Sequence, residues 1–221
     1  AGLGTRLKPF TDEHPTALAV VNAKTLLQRN IEYLAKYGIE EIIINIHHIP
    51  AQIKKFIKSN KGFGSDITLS DETKEVLETG GGLKKAAWYF EKETEPFVVM
   101  NVDVLTDMNL RQMIEQHKKQ DPLATLAVTL RKTSRYFLFD ELDHLCGWRN
   151  VKTSDQKMSR EPGVIFKKAF SGIHIISPKI FSLMEMHGKF SMVDTFLELA
   201  KANIIEAFEH SQSKFINVGK P

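Results

Sequence analysis

Cysteine is nearly absent from this sequence: Cys146 stands alone, which excludes an internal disulfide framework and fits a reducing compartment. Long apolar runs are missing as well. No stretch approaches the roughly 20 residues that span a bilayer, and no signal peptide is visible, so the sequence predicts a cytoplasmic protein without a membrane partner. Neither sign of charge dominates, because 30 Lys and Arg against 27 Asp and Glu leave a net +3. Basic pairs such as Lys54-Lys55 and Lys84-Lys85 sit among acids, which argues against a nucleic-acid footprint. Internal repeats, low-complexity segments and interdomain linkers are lacking too. What is present is a globular composition of 221 residues, 42% hydrophobic and 26% charged, sufficient for one large domain.

Hydrophobic periodicity predicts a helix over residues 25–37, where Leu26, Leu27, Ile31, Leu34 and Ala35 share a face and Gly38 marks the stop. A buried strand over 41–46 and a helix over 50–58 follow. The alternation continues with a strand at 67–69, a glycine-led helix over 82–89, a strand at 96–100, a helix at 109–120 and a strand at 124–130. Beyond Lys132 the elements shorten. Strands are expected at 136–139, 145–150, 163–166 and 170–176, helices at 178–184 and 192–202, and strands at 204–208 and 214–218. The pattern predicts a Rossmann-like three-layer α/β/α fold with a mostly parallel sheet and a small β-rich substrate region. Within one domain, residues 1–131 form a first half and 132–221 a second half that holds the β-rich region.

Three segments carry candidate chemistry. Ala1-Gly2-Leu3-Gly4-Thr5-Arg6 reads as a glycine turn that presents backbone N–H groups to a phosphate, with Arg6 as a permanently charged fork. An isolated Gly-x-Gly is equally compatible with an ordinary turn, and such a turn normally follows a buried strand, so a strand is expected upstream of Ala1. In Leu77-Glu78-Thr79-Gly80-Gly81-Gly82, three consecutive glycines imply that something flat or anionic lies against the backbone. A Walker A reading fails there because the spacing is wrong and no hydroxyl follows Lys84. Finally, Asn101-Val102-Asp103 follows the strand at 96–100, which puts Asp103 at a carboxyl edge where ligands and Mg²⁺ gather. The competing reading makes Asp103 a helix cap.

Together these segments, with Phe170-Ser171-Gly172-Ile173-His174-Ile175-Ile176-Ser177-Pro178 and Phe215-Ile216-Asn217-Val218-Gly219-Lys220-Pro221, resemble the sugar-1-phosphate nucleotidyltransferases. The form is most similar to the N-acetylmuramate 1-phosphate uridylyltransferase and mannose or heptose 1-phosphate guanylyltransferase branches. The resemblance implies an enzyme that uses UTP or GTP, a sugar 1-phosphate and Mg²⁺, in which the sugar phosphate attacks the α-phosphorus and pyrophosphate leaves. It implies that 1–131 is a nucleotide-binding half and 132–221 a sugar-phosphate-binding half, and that residues 1–5 and Arg6 hold the NTP phosphates and the departing pyrophosphate. Glu78, Thr79, Gly80 and Gly81 border the base, Asn101 and Gly172 border the sugar or ribose, and Asp103 and Asn217 hold the metal.

Two positions depart from that pattern. Thr16 stands where the family writes the lysine of Pro-Lys-Ala-Leu, and Asn217 stands where it has a second metal-binding aspartate. Three explanations follow: a crippled variant, an enzyme that recruits another cation, or a nucleotide-binding protein that kept the pocket and lost turnover. Ala23 and Thr25 also replace the Gly and Pro of the usual turn. The adjacent His47 and His48 read as a pocket wall or a metal pair, while Arg135-Tyr136 and Trp148-Arg149-Asn150 are candidates for the sugar phosphate or for plain surface. An NAD-binding Rossmann domain is disfavoured, since no acid caps a second strand about 20 residues after the turn.

Overall fold

In the computed structural model, residues 7–219 are described. A one-turn helix α1 (Phe10–Glu13) and a 3₁₀ turn at Thr16–Leu18 lead into a two-residue hairpin, β1 (Val20–Val21) against β2 (Lys24–Thr25). Asn22 and Ala23 turn that hairpin at φ 48° and 65°, a region favoured by glycine and uncommon for alanine. Helix α2 (Leu26–Ala35) begins where Thr25 Oγ1 accepts the Gln28 N–H at 3.1 Å, and it buries Leu26, Leu27 and Ile31. Gly38, at φ 80°, redirects the chain into β3 (Glu41–Ile46). Helix α3 (Pro50–Ser59) opens on a proline, whose missing N–H is harmless in a first turn. Strand β4 (Asp66–Asp71) then pairs with β3 in parallel, Glu41 opposite Asp66 through Ile46 opposite Asp71.

Helix α4 (Glu78–Lys85), β5 (Phe97–Met100), β6 (Val104–Thr106), α5 (Leu110–Gln120) and β7 (Ala124–Thr129) complete the first half. The second half contains β8 (Arg135–Phe139), β9 (Leu145–Asn150), β10 (Gln156–Met158) and β11 (Phe166–Ile176), then α6 (Ile180–Leu183), α7 (Met192–Leu199), β12 (Ile205–Glu209) and β13 (Phe215–Asn217).

The long strand β11 organises the principal sheet, whose order is β10-β9-β8-β11-β7-β12 with β5 also on β11. Its start pairs with β8, and its end lies between β5 and β7, antiparallel to all three. Because β12 is parallel to β7, strands β5, β7 and β12 run in one direction and deliver their carboxyl ends to one edge. The sheet is therefore mixed, within the Rossmann-like α/β class. Side-chain alternation splits it into two faces. Leu126, Val128 and Ile176 join Leu83, Phe139 and Phe196 on one side; Ala127, Ile173 and Ile175 join Val104, Met108 and Met113 on the other. A third cluster packs Leu27 and Ile31 of α2 with Ile46, Ile53 and Ile57.

Two expectations need correction. The helix expected over 82–89 begins four residues earlier, at Glu78, contains all three glycines, and gives way to a 3₁₀ turn at Ala87–Phe90. The strand expected at 163–166 is a lead-in, since pairing of Phe166 with Phe139 starts β11 there and continues it through the strand expected at 170–176. Among the described residues no helix is long and apolar enough to cross a membrane.

Candidate active site

At the carboxyl edge, Asn101, Val102 and Asp103 form the turn between β5 and β6, closed by the Val104 N–H on the Asn101 carbonyl at 3.1 Å. The neighbouring strand braces it, because the Asn101 N–H donates to the Gly172 carbonyl at 2.9 Å. Gly172 sits at φ +78°, in the bulged stretch of β11, and a Cβ there would stand 2.8 Å from Asn101 Nδ2. Both conformation and space demand glycine. From below, Asn30 Nδ2 of α2 donates to the Val102 carbonyl at 3.0 Å.

Strand β13 brings Asn217 to this turn: it lies opposite Val104, and the Val218 N–H donates to the Asp103 carbonyl at 2.8 Å. Asp103, in the turn that leads into β6, and Asn217, at the end of β13, are thereby brought together. The Asn217 Oδ1 is buried and has no hydrogen-bond partner among the described residues, an arrangement that calls for a donor or a cation. With the Asp103 carboxylate it fits Mg²⁺, which takes one or two protein oxygens and completes its shell with phosphate and water. No cluster of three or more His, Cys, Asp or Glu that could cage a metal occurs among the described residues. The helix-cap reading of Asp103 fails, because Asn109 caps α5 through its side chain, accepting the Gln112 N–H at 3.4 Å.

The glycines of α4 answer to protein packing. A Cβ on Gly80 would meet the Phe190 ring at 2.4 Å, one on Gly81 the Gly188 carbonyl at 2.2 Å, and one on Gly82 the Glu72 Oε1 at 2.6 Å. The Gly80 and Gly81 N–H groups both donate to the Phe190 carbonyl, at 2.9 and 3.2 Å. Groups from within the chain thus fill the side-chain positions of all three glycines. Thr79 Oγ1 accepts the Met192 N–H at 2.9 Å, and Glu78, at φ 59°, lies 3.6 Å from Lys189.

The remaining candidates separate. Ala1, Gly2, Leu3, Gly4, Thr5 and Arg6 lie outside the described residues. Thr16 is half-buried in its 3₁₀ turn. His47 and His48 form no metal pair: their ring N–H groups are directed to two different carbonyls, those of Glu72 at 2.6 Å and Thr11 at 2.8 Å. Arg135 and Arg149 are exposed, and the Tyr136 hydroxyl accepts the Thr133 N–H at 2.9 Å. Trp148 packs against the first core cluster.

Sequence reasoning missed Arg131 and His210, which gather at the same edge with Ser171 of the Gly172 segment. His210 Nε2 lies 2.7 Å from Ser171 Oγ, and burial, then the Arg131 charge, lowers its pKa to about 4. Arg131 directs Nη2–H to the Phe170 carbonyl at 2.7 Å. No motif announced Arg131 or His210, which follow β7 and β12, far apart in sequence. Glu72 was missed too: it is fully buried, its Oε1 accepts from Asn45 Nδ2 at 2.7 Å, and only its tight fit beneath Gly82 links it to a recognisable motif.

Comparison with known proteins gives a consistent picture. The nucleotidyl transferase family model matches residues 1–137. The mannose-1-phosphate guanyltransferase of Yarrowia lipolytica is 29% identical over 222 residues, covering 100% of this chain and 59% of the relative. That of Saccharomyces cerevisiae is 27% identical, with 100% and 60% covered. The chain therefore spans about 60% of the length of these curated relatives. Among solved structures, HddC from Yersinia pseudotuberculosis complexed with GMP-PN superposes with a TM-score of 0.74 at 25% identity, covering 100% of this chain and 91% of that one. A UDP-glucose pyrophosphorylase complexed with UDP-glucose shares the fold, with a TM-score of 0.75 at 19% identity and 100% and 91% covered.

Proposed function

The chain belongs to the nucleotidyl transferase family, and from that premise we propose that it transfers a nucleoside monophosphate from an NTP to a sugar 1-phosphate. A phosphate oxygen of the sugar 1-phosphate bonds to the α-phosphorus, the bond from that phosphorus to the β-phosphate oxygen breaks, and pyrophosphate leaves with the electron pair. GTP is the first donor to test and mannose 1-phosphate the first acceptor, because relatives bear the name mannose-1-phosphate guanyltransferase and HddC was crystallised with GMP-PN. The observation that carries the reading is the meeting of Asp103, the unpartnered Asn217 Oδ1 and the Gly172 bulge at one carboxyl edge.

Residues of this chain supply positioning. Gly172 and Asn101 together form a floor on which a sugar ring can lie: the Asn101 N–H donates to the Gly172 carbonyl, and the Asn101 amide fills the space that a side chain on Gly172 would take. Asp103 and Asn217 would hold Mg²⁺, which when bound neutralises developing phosphate charge. Because Asn217 contributes an amide oxygen and no charge, metal affinity is weaker than with two carboxylates. The single buried Cys146 supports a cytoplasmic setting. The test is pyrophosphate release with Mg²⁺, each of five NTPs, and mannose or glucose 1-phosphate. Release that needs both substrates supports transfer; saturable nucleotide binding without release favours the second reading, a nucleotide-binding protein, for which Thr16 and Asn217 are the specific grounds.

A further inference from the structure

Arg131 stands just beyond β7 at the same carboxyl edge, and the reaction as described leaves it without a task. Its Nη2–H donates to the Phe170 carbonyl at 2.7 Å, and its guanidinium carbon lies 4.8 Å from the ring centre of Phe215. Its Nε is buried without a hydrogen-bond partner among the described residues. Among the described residues no carboxylate pairs with it. The acids nearest to this cluster are engaged elsewhere: Glu209 with Lys168 at 3.3 Å and Ser211 at 3.0 Å, and Asp107 with the Lys214 N–H at 2.7 Å. The adjoining His210 is held in its neutral form by burial and by the Arg131 charge itself, so it repels neither Arg131 nor an arriving cation.

A half-buried guanidinium without a counter-anion is unfavourable, and its five donors exceed what one carbonyl uses. The Phe215 ring and the Phe170 carbonyl hold the group in one plane, so the fork is oriented before any ligand arrives. These two contacts also fix its place. Phe170 lies two residues before Gly172 on β11, and Phe215 lies two residues before Asn217 on β13. Arg131 thus bridges the strand of the sugar floor and the strand of the candidate metal oxygen.

We propose that Arg131 anchors the phosphate of the acceptor sugar 1-phosphate, receiving it as a bidentate anion between the Gly172 floor and the Asp103–Asn217 pair. The assignment rests on the transferase reading above and selects phosphorylated over neutral sugars. It replaces Arg135 and Arg149, which are exposed, as the sugar-phosphate arginine.

Calorimetric titration of the wild type, Arg131→Met and Arg131→Lys with mannose 1-phosphate, glucose 1-phosphate, free mannose and GTP tests the proposal. Loss of a charge-assisted bidentate contact should weaken sugar 1-phosphate binding about 10- to 100-fold in Arg131→Met. Arg131→Lys should recover part of it, GTP affinity should stay within about threefold, and the salt dependence of sugar-phosphate binding should flatten in Arg131→Met. Unchanged sugar 1-phosphate affinity in Arg131→Met overturns the assignment. So does equal loss of GTP and sugar phosphate with a lowered melting temperature, or a wild type that binds GTP and neither sugar phosphate. If Arg131-dependent sugar-phosphate binding occurs but no pyrophosphate is ever released, the anion site stands and the transferase reading falls.

Discussion

His174 makes this protein acid-labile by an amount the structure allows to be worked out. It lies on β11 with its ring wholly enclosed, 5.3 Å from the Phe196 ring centre and 5.7 Å from that of Phe170, and neither ring nitrogen has a hydrogen-bond partner among the described residues. Burial alone lowers its pKa to about 3. In the unfolded chain an imidazole titrates near 6.5, so as pH falls the unfolded state takes up the proton first and gains free energy that the folded state is denied. The contribution of His174 to stability is intact above about pH 6.5, declines through the acid range, and stops declining only near pH 3. At pH 5 the loss from this one residue is about 2 kcal/mol, equivalent to roughly 4–8 °C in a domain of this size. His210, whose pKa is lowered to about 4, adds to the loss in the same direction. Urea melts at pH 8, 6 and 5 on the wild type and on His174→Leu provide the assay. The leucine variant leaves no polar group unsatisfied and should lose about 2 kcal/mol less than the wild type between pH 8 and pH 5. Parallel pH dependences for the two proteins would refute the reasoning.

Other substitutions probe the site and the turns that support it. Asn217→Asp should lower the Mg²⁺ concentration for half-maximal nucleotide-dependent thermal stabilisation by about tenfold, because a charge joins Asp103; combined with Thr16→Lys it should raise turnover, which a steady-state pyrophosphate assay reads. Gly81→Ala should destabilise by about 3 kcal/mol or more, since the new methyl meets a backbone carbonyl that cannot yield locally, and chemical denaturation would register it. Ala23→Gly should stabilise by about 0.5–1 kcal/mol through relief of φ 65°, a difference within reach of calorimetry.

Much of the scaffold was legible because local signals agree with the tertiary outcome. The apolar run Ile42-Ile43-Ile44 sets β3 at its expected bounds, and the Thr25 cap and Gly38 stop bracket α2 within two residues. The Asp103 turn was legible for the same reason, since an apolar strand precedes it. The purpose of Gly80 and Gly81 was not, because Phe190 and Gly188, more than 100 residues away, occupy the space they leave. Nor was Arg131: its meaning arises from a carbonyl on β11 and a ring on β13, neither of which is near it in sequence. The full length of β11 was hidden likewise, as pairing with β8 extends it past the polar residues Lys167 and Lys168.

Isotope transfer tests the central claim most directly. With Mg²⁺, mannose 1-phosphate and GTP labelled separately at the α and γ positions, the account predicts α-label in a sugar nucleotide and γ-label in pyrophosphate, in equal amounts. Both substrates binding with no α-label in a sugar nucleotide, or γ-label released only as inorganic phosphate, would contradict it.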